Sequence, residues 1–161
     1  MKNFTPCPWS EELTNSTTFS LILMFGIVLS LAIALVLLYG KMSKGLSITL
    51  MSIFIVQLLA LLSAIAFAPR GVSVDDKEII LYRYMGKVTI PRSEITDIKP
   101  FPRDKSTIRL CGIGGCMGNV GLFRNSEIGT FTAYYTDPSR SYVIFRRSKR
   151  PIVITSVEPL E

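Results

Sequence analysis

Phe19-Ser20-Leu21-Ile22-Leu23-Met24-Phe25-Gly26-Ile27-Val28-Leu29-Ser30-Leu31-Ala32-Ile33-Ala34-Leu35-Val36-Leu37-Leu38-Tyr39 contains no charged residue. At about 1.5 Å rise per residue, a helix of this length covers the roughly 30 Å hydrocarbon core of a bilayer. Leu46 to Phe67 repeats the pattern, with only Ser47, Thr49, Ser52, Gln57 and Ser63 as polar side chains, a load that a helix in lipid tolerates. Between the runs lies Gly40-Lys41-Met42-Ser43-Lys44-Gly45, whose lysines and flanking glycines suit a turn at headgroup level. Residues 19–68 therefore read as a transmembrane helical hairpin. The competing reading is a core helix of a soluble protein, but such helices rarely run beyond about 18 apolar residues, and two in tandem are rarer.

Composition changes at Pro69. Of the 18 Lys and Arg, 15 lie at Arg70 or beyond, with 10 of the 12 Asp and Glu, so this part carries a net charge of +5. That surplus suits contact with anionic headgroups and falls short of the dense basic face of a nucleic-acid binder. The sequence has no histidine, which removes Ser-His-Asp and Cys-His catalysis and imidazole metal sites. Its three cysteines, Cys7, Cys111 and Cys116, are odd in number and unpatterned, pointing to a reducing compartment and ordinary structural thiols. A zinc site would need ligands beyond Cys111 and Cys116, and no metal or cofactor is expected.

Residues 1–18 read as an N-terminal tail rather than a secretory signal, because only Lys2 is basic and Glu11 and Glu12 are acidic. Phe4 and Trp9 suit interfacial anchoring, and Ser16 to Thr18 offer N-cap hydroxyls to the first helix. Small residues recur every four positions at Gly26, Ser30 and Ala34 and at Ala60, Ala64 and Ala68, a spacing that lets helices approach closely in lipid. Two spans place both chain ends on one side. Lys41 and Lys44 oppose Lys2, Arg70, Lys77 and Arg83, which favours an inner-membrane protein with its termini and C-terminal part in the cytoplasm.

Pro69 stops the second helix, and no linker follows, since Val72 to Val74 already alternates. Seven or eight short strands at about ten-residue spacing then indicate an antiparallel sandwich or small barrel over residues 69–161. The glycine-rich stretch Gly112 to Gly121 reads as a loop between strands. It lacks the Gly-Lys-Ser/Thr of a phosphate loop and the third glycine of a dinucleotide fingerprint, so no small-molecule substrate is implied. Asp75 with Asp76 and Glu94 with Asp97 sit in or beside turns, where acidic residues are ordinary. No catalytic residue emerges.

Gly114-Gly115-Cys116-Met117-Gly118-Asn119-Val120-Gly121-Leu122-Phe123-Arg124, then Gly129-Thr130-Phe131-Thr132-Ala133-Tyr134, then Pro151 to Thr155, resemble bacterial pleckstrin-homology-like (PH-like) domain proteins, many of which carry two N-terminal membrane helices. The resemblance implies an α+β membrane protein: a transmembrane hairpin followed by a mostly antiparallel PH-like barrel or sandwich closed by a C-terminal helix. Only six residues follow Thr155, so that helix is short, absent or supplied by a neighbouring chain. The resemblance also implies a non-enzymatic interaction or assembly module, with homo-oligomers or protein partners. The expected contact surface is the loop with Gly114, Gly115, Gly118 and Gly121 and the adjacent Phe123 and Arg124. The alternative is an anionic-lipid reader using Arg70 and the turn with Arg146, Arg147, Lys149 and Arg150. Lipid binding through the first β-turn is not expected, because Asp75-Asp76-Lys77-Glu78 repels phosphate. An accessory subunit of a membrane enzyme or transporter is the third reading.

Overall fold

The computed structural model describes residues 4–37, 43–102, 106–158 and 160. Helix α1 (Glu11–Leu37) and helix α2 (Lys44–Phe67) form the hairpin. Of the turn expected at Gly40 to Gly45, the part through Met42 lies outside the described residues; from Ser43 on, the chain caps α2, Ser43 Oγ accepting the Leu46 N–H at 3.3 Å. Each helix has an apolar segment long enough to cross a membrane, and only 6% of each such segment is buried. A soluble protein's core helix would be mostly covered.

Helix α1 starts at Glu11, two turns before Phe19, for a local reason. Ser10, not Ser16 to Thr18, is the N-cap: its Oγ accepts the Leu13 N–H at 3.1 Å, and Glu11 and Glu12 occupy the first turn, where the helix dipole favours anions. These polar turns lie against the β-sheets. Along α2 and its C-cap, reduced exposure falls at Ser47, Leu50, Phe54, Gln57, Leu61, Ala64 and Ala68, one face at alternating three- and four-residue spacing, and near the sheets it widens to Ser63, Ile65 and Ala66. Ala64 and Ala68 are thus covered, whereas Ala60 on α2 and Gly26 and Ser30 on α1 are exposed and nothing approaches the Gly26 Cβ position within 4 Å.

Ten strands among the described residues, nine of them after the helices, form two sheets that do not close into a barrel. Strand β1 (Phe4–Pro6) precedes the helices and pairs with β2 (Pro69–Val74), which continues to β3 (Glu78–Arg83) and β4 (Lys87–Pro91) in an antiparallel first sheet. The second contains β5 (Ile95–Pro100), β6 (Ile108–Ile113), β7 (Asn119–Asn125), β8 (Gly129–Tyr135), β9 (Ser141–Arg146) and β10 (Lys149–Thr155), ordered β5-β9-β10-β8-β7-β6. Only the β8–β10 pairing is parallel. The two strands hidden from sequence are β1 and β7. Strand β7 escapes because Gly112 and Gly121 face each other across the β6–β7 pair, and a Cβ on either would strike the opposite backbone at Val120 O or Cys111 O. Those glycines read as loop but are a close backbone approach within a sheet.

Alternation along β9 and β10 gives the second sheet two buried faces. Ile144, Ile152 and Ile154 pack with Val72, Ile79, Leu81 and Ile90 of the first sheet, and Leu160 is buried in the same core. Val143 and Val153 face the other way, into an aromatic cluster of Phe101, Phe123, Phe131 and Tyr135. Phe101 meets Phe131 edge-on at 5.8 Å between centroids, and Phe123 stacks on Phe131 at 6.1 Å. After Thr155 no helix follows among the described residues; Leu160 contributes a fully buried side chain instead.

Candidate functional site

The sheets are bonded to the helices at one end, and that end gathers Arg70 and the Gly114 to Gly118 stretch singled out above. Ser10 N–H and Oγ both donate to Thr136 O, Thr136 Oγ1 donates to Pro8 O at 2.6 Å, and Cys7 N–H donates to Arg70 O at 3.1 Å. Behind them Thr155 Oγ1 accepts the N–H groups of Thr136 and Asp137 and bonds Ser141 Oγ at 2.9 Å, a buried hub that satisfies the strand ends. Burial pushes the Cys7 thiol up to about 12 and the Tyr135 phenol to about 12, so neither is a reactive anion near neutral pH. The Cys116 thiol is also raised by burial.

The expected contact loop is occupied from within. Its free part is only residues 114–118, and it grips α1. Thr17, 3% exposed, accepts the Met117 N–H on Oγ1 at 2.9 Å while that hydroxyl reaches Gly115 O at 3.5 Å. Met117 holds a positive φ of 58° there, and Gly118 sits against Pro69 at the start of β2. Phe123 is buried in the aromatic core and offers no surface to a partner, whereas Arg124 is exposed. A cavity of about 250 Å³ opens beside the grip, lined by Ser10, Ser16, Gly115, Asn119 and Thr136 among others.

The basic turn lies at the other end. Strand β9 leaves the helix end at Ser141 and reaches Arg146 five residues on, about 17 Å at the usual strand rise. Lys149 is held by Glu94 at 2.9 Å, and the Arg146 guanidinium donates to Arg150 O at 2.6 and 3.0 Å. Arg70, by contrast, is at the helix end. Asp97 is drawn below the usual carboxylate range, first by its hydrogen bond with Lys99, so Glu94 and Asp97 are both in structural ion pairs, while Asp75 Oδ1 accepts the Asp76 N–H within its turn.

Among the described residues β1, β4, β5 and β6 are the edge strands, and β6 carries the largest exposed aliphatic side chains of the four. Strand β6 pairs on one side only, and Ile108 (63%), Leu110 (52%) and Cys111 are exposed. Sequence offered Phe4 as an interfacial anchor and Arg83 as a flanking charge, but not the pairing of β1 that lays Phe4 on β2, where a Cβ at Gly71 would fall on the Phe4 ring.

Among the described residues no cluster of three or more His, Cys, Asp or Glu is placed to hold a metal ion. These features define a small β-sandwich module hydrogen-bonded to a hairpin of long apolar helices. Residues 70–161 match the Bacterial PH domain family, and the chain belongs to it. The match starts one residue into β2, so β1 and the hairpin lie outside it. No curated protein and no solved structure matches the chain.

Proposed function

We propose that the chain is an integral membrane protein whose PH domain is held flush on the cytoplasmic face of the inner membrane and acts as a non-enzymatic interaction module through its β6 edge. The observation that carries this reading is the contrast between two surfaces. The helix-end loop is pinned to Thr17 at Met117 and Gly115, while β6 leaves a row of backbone groups and two large apolar side chains uncovered. Such an edge takes an added strand from a protein partner or from a second copy, with main-chain bonds supplying affinity and side chains the selectivity. Hydrogen bonds from both ends of the hairpin remove the freedom of a tether and so lower the entropic cost of meeting a partner in the membrane plane. Three free cysteines and the basic flank at Arg70 and Arg83 support the cytoplasmic placement.

A photo-crosslinking amino acid at Leu110, in the full chain in intact cells, tests the edge. Adducts of defined mass at Leu110, and none from the same probe at Arg147, are expected; equal labelling or none from Leu110 would remove the edge from consideration.

A further inference from the structure

A second feature of the helix end involves side chains that the β6 reading does not use. Phe4, Arg70, Tyr82 and Arg83 line an open notch of about 280 Å³. Its geometry follows from the backbone. The β2–β3 register shifts between Pro69 and Gly71, so Arg70 sits in an irregularity directly beside Arg83, and such bulges re-aim a side chain. Strand β1 lays Phe4 over Gly71, where it meets Tyr82 edge-on at 5.6 Å.

Both guanidiniums rest on aromatic faces: Arg70 lies 6.0 Å from the Phe4 centroid and 5.8 Å from Tyr84, and Arg83 lies 5.4 Å from Phe67 and 5.8 Å from Tyr134. Contact with ring faces holds the charge while leaving the in-plane N–H donors to point elsewhere. Neither arginine has a carboxylate partner among the described residues, whose ion pairs all lie on other side chains. The Arg83 Nε–H is buried with no hydrogen-bond partner among the described residues. Buried N–H groups are rarely left so, and two like charges in one notch favour an anion between them.

Position selects the source of that anion. The β3–β4 turn donates from Met85 N–H to Ala66 O in the last turn of α2 at 2.8 Å, and Tyr84 (57%) and Met85 (68%) are exposed beside it. The notch is therefore level with the end of α2. We propose that it holds the phosphate of an anionic phospholipid headgroup in the leaflet where α2 ends, with Tyr84 and Met85 dipping among the acyl-chain margins. Aromatic and amphipathic side chains concentrate at that depth, and the paired forks of two arginines fit a phosphate's oxygens. This inference rests on the membrane-spanning reading of the hairpin and places the lipid contact away from the Arg146–Arg150 turn.

Native mass spectrometry of the full chain in mild detergent, titrated with phosphatidylglycerol or with phosphatidylcholine, tests it. Preferential retention of phosphatidylglycerol is expected, weakened about tenfold by R70Q and by R83Q, the scale of one charge-assisted hydrogen bond. R146Q/R147Q keeps wild-type retention. Arg70 is exposed, so R70Q is not at risk of misfolding, and R83K is expected to bind more weakly than wild type while retaining the charge. Equal retention by wild type and R70Q, or an equal loss in R146Q/R147Q, would overturn the notch. Displacement of the lipid by inorganic phosphate alone would overturn the lipid source. Alkaline carbonate extraction reads the hairpin separately: release of the chain from membranes would overturn the premise, while retention alongside unchanged R70Q binding would sink the notch alone.

Discussion

Replacing Thr17 by Val removes the clamp between the helical hairpin and the 114–118 loop while keeping shape. Thr and Val are both β-branched with similar helix propensities, so α1 itself changes little. The hydroxyl's contact with Gly115 O, at 3.5 Å, is too long to contribute much. The short bond from Met117 N–H, at 2.9 Å, is the one that counts. Its loss leaves a part-buried amide unpaired, a cost of about 1–2 kcal/mol. If the loop opens locally, amides over residues 112–118 exchange roughly fivefold to thirtyfold faster at that cost. Hydrogen exchange read by mass spectrometry on the full chain in detergent measures this, with peptides from β9 and β10 as the internal reference. Thr17→Ser keeps the acceptor and is expected to exchange like wild type. Unchanged exchange in Thr17→Val, or equal acceleration in both variants, would refute the clamp.

Thiol labelling at neutral pH should proceed at exposed Cys111 first and at Cys116 more slowly, with Cys7 protected until unfolding; early modification of Cys7 would contradict its burial. Because the folded Cys7 pKa is raised from 9.0 to about 12, its contribution is fully present below about pH 9 and is lost as pH rises toward 12. Thermal melts above pH 9 should fall steeply in wild type and less so in Cys7→Ala, a difference absent if the thiol is wet. Phe131→Ala empties the centre of the aromatic cluster and should cost about 3–5 kcal/mol, most of a small domain's stability, in denaturant titration. Gly112→Ala, at φ 121° and against Val120 O, should loosen β6 and raise exchange along residues 108–113; an unaffected edge would refute the close approach. Ser43→Cys should react with an impermeant maleimide in intact cells, and a shielded Ser43→Cys would reverse the proposed orientation.

The two apolar helices, the stop at Pro69, the run of short strands and the family resemblance were all legible in the sequence, because each is a local pattern of hydropathy or of residues such as Pro that restrict the backbone. Strand β7 was not, since facing glycines at 112 and 121 erase the alternation that marks a strand. Nor was β1: Phe4-Thr5-Pro6 carries no strand signal, and its pairing spans the whole hairpin to reach β2. The glycine stretch looked like a free surface loop, yet Thr17, a hundred residues earlier, bonds its backbone at Met117 and Gly115. Of the basic residues, the sequence made the 146–150 run conspicuous by density, whereas tertiary structure put that run at the far end and set Arg70 beside Arg83. Composition and periodicity determined what kinds of elements this chain forms and that two of them are apolar enough to span a bilayer. Which side chains share a site was decided only by strand register and by the bonds tying both ends of the hairpin to the sheets, because long-range pairing leaves no trace in local spacing.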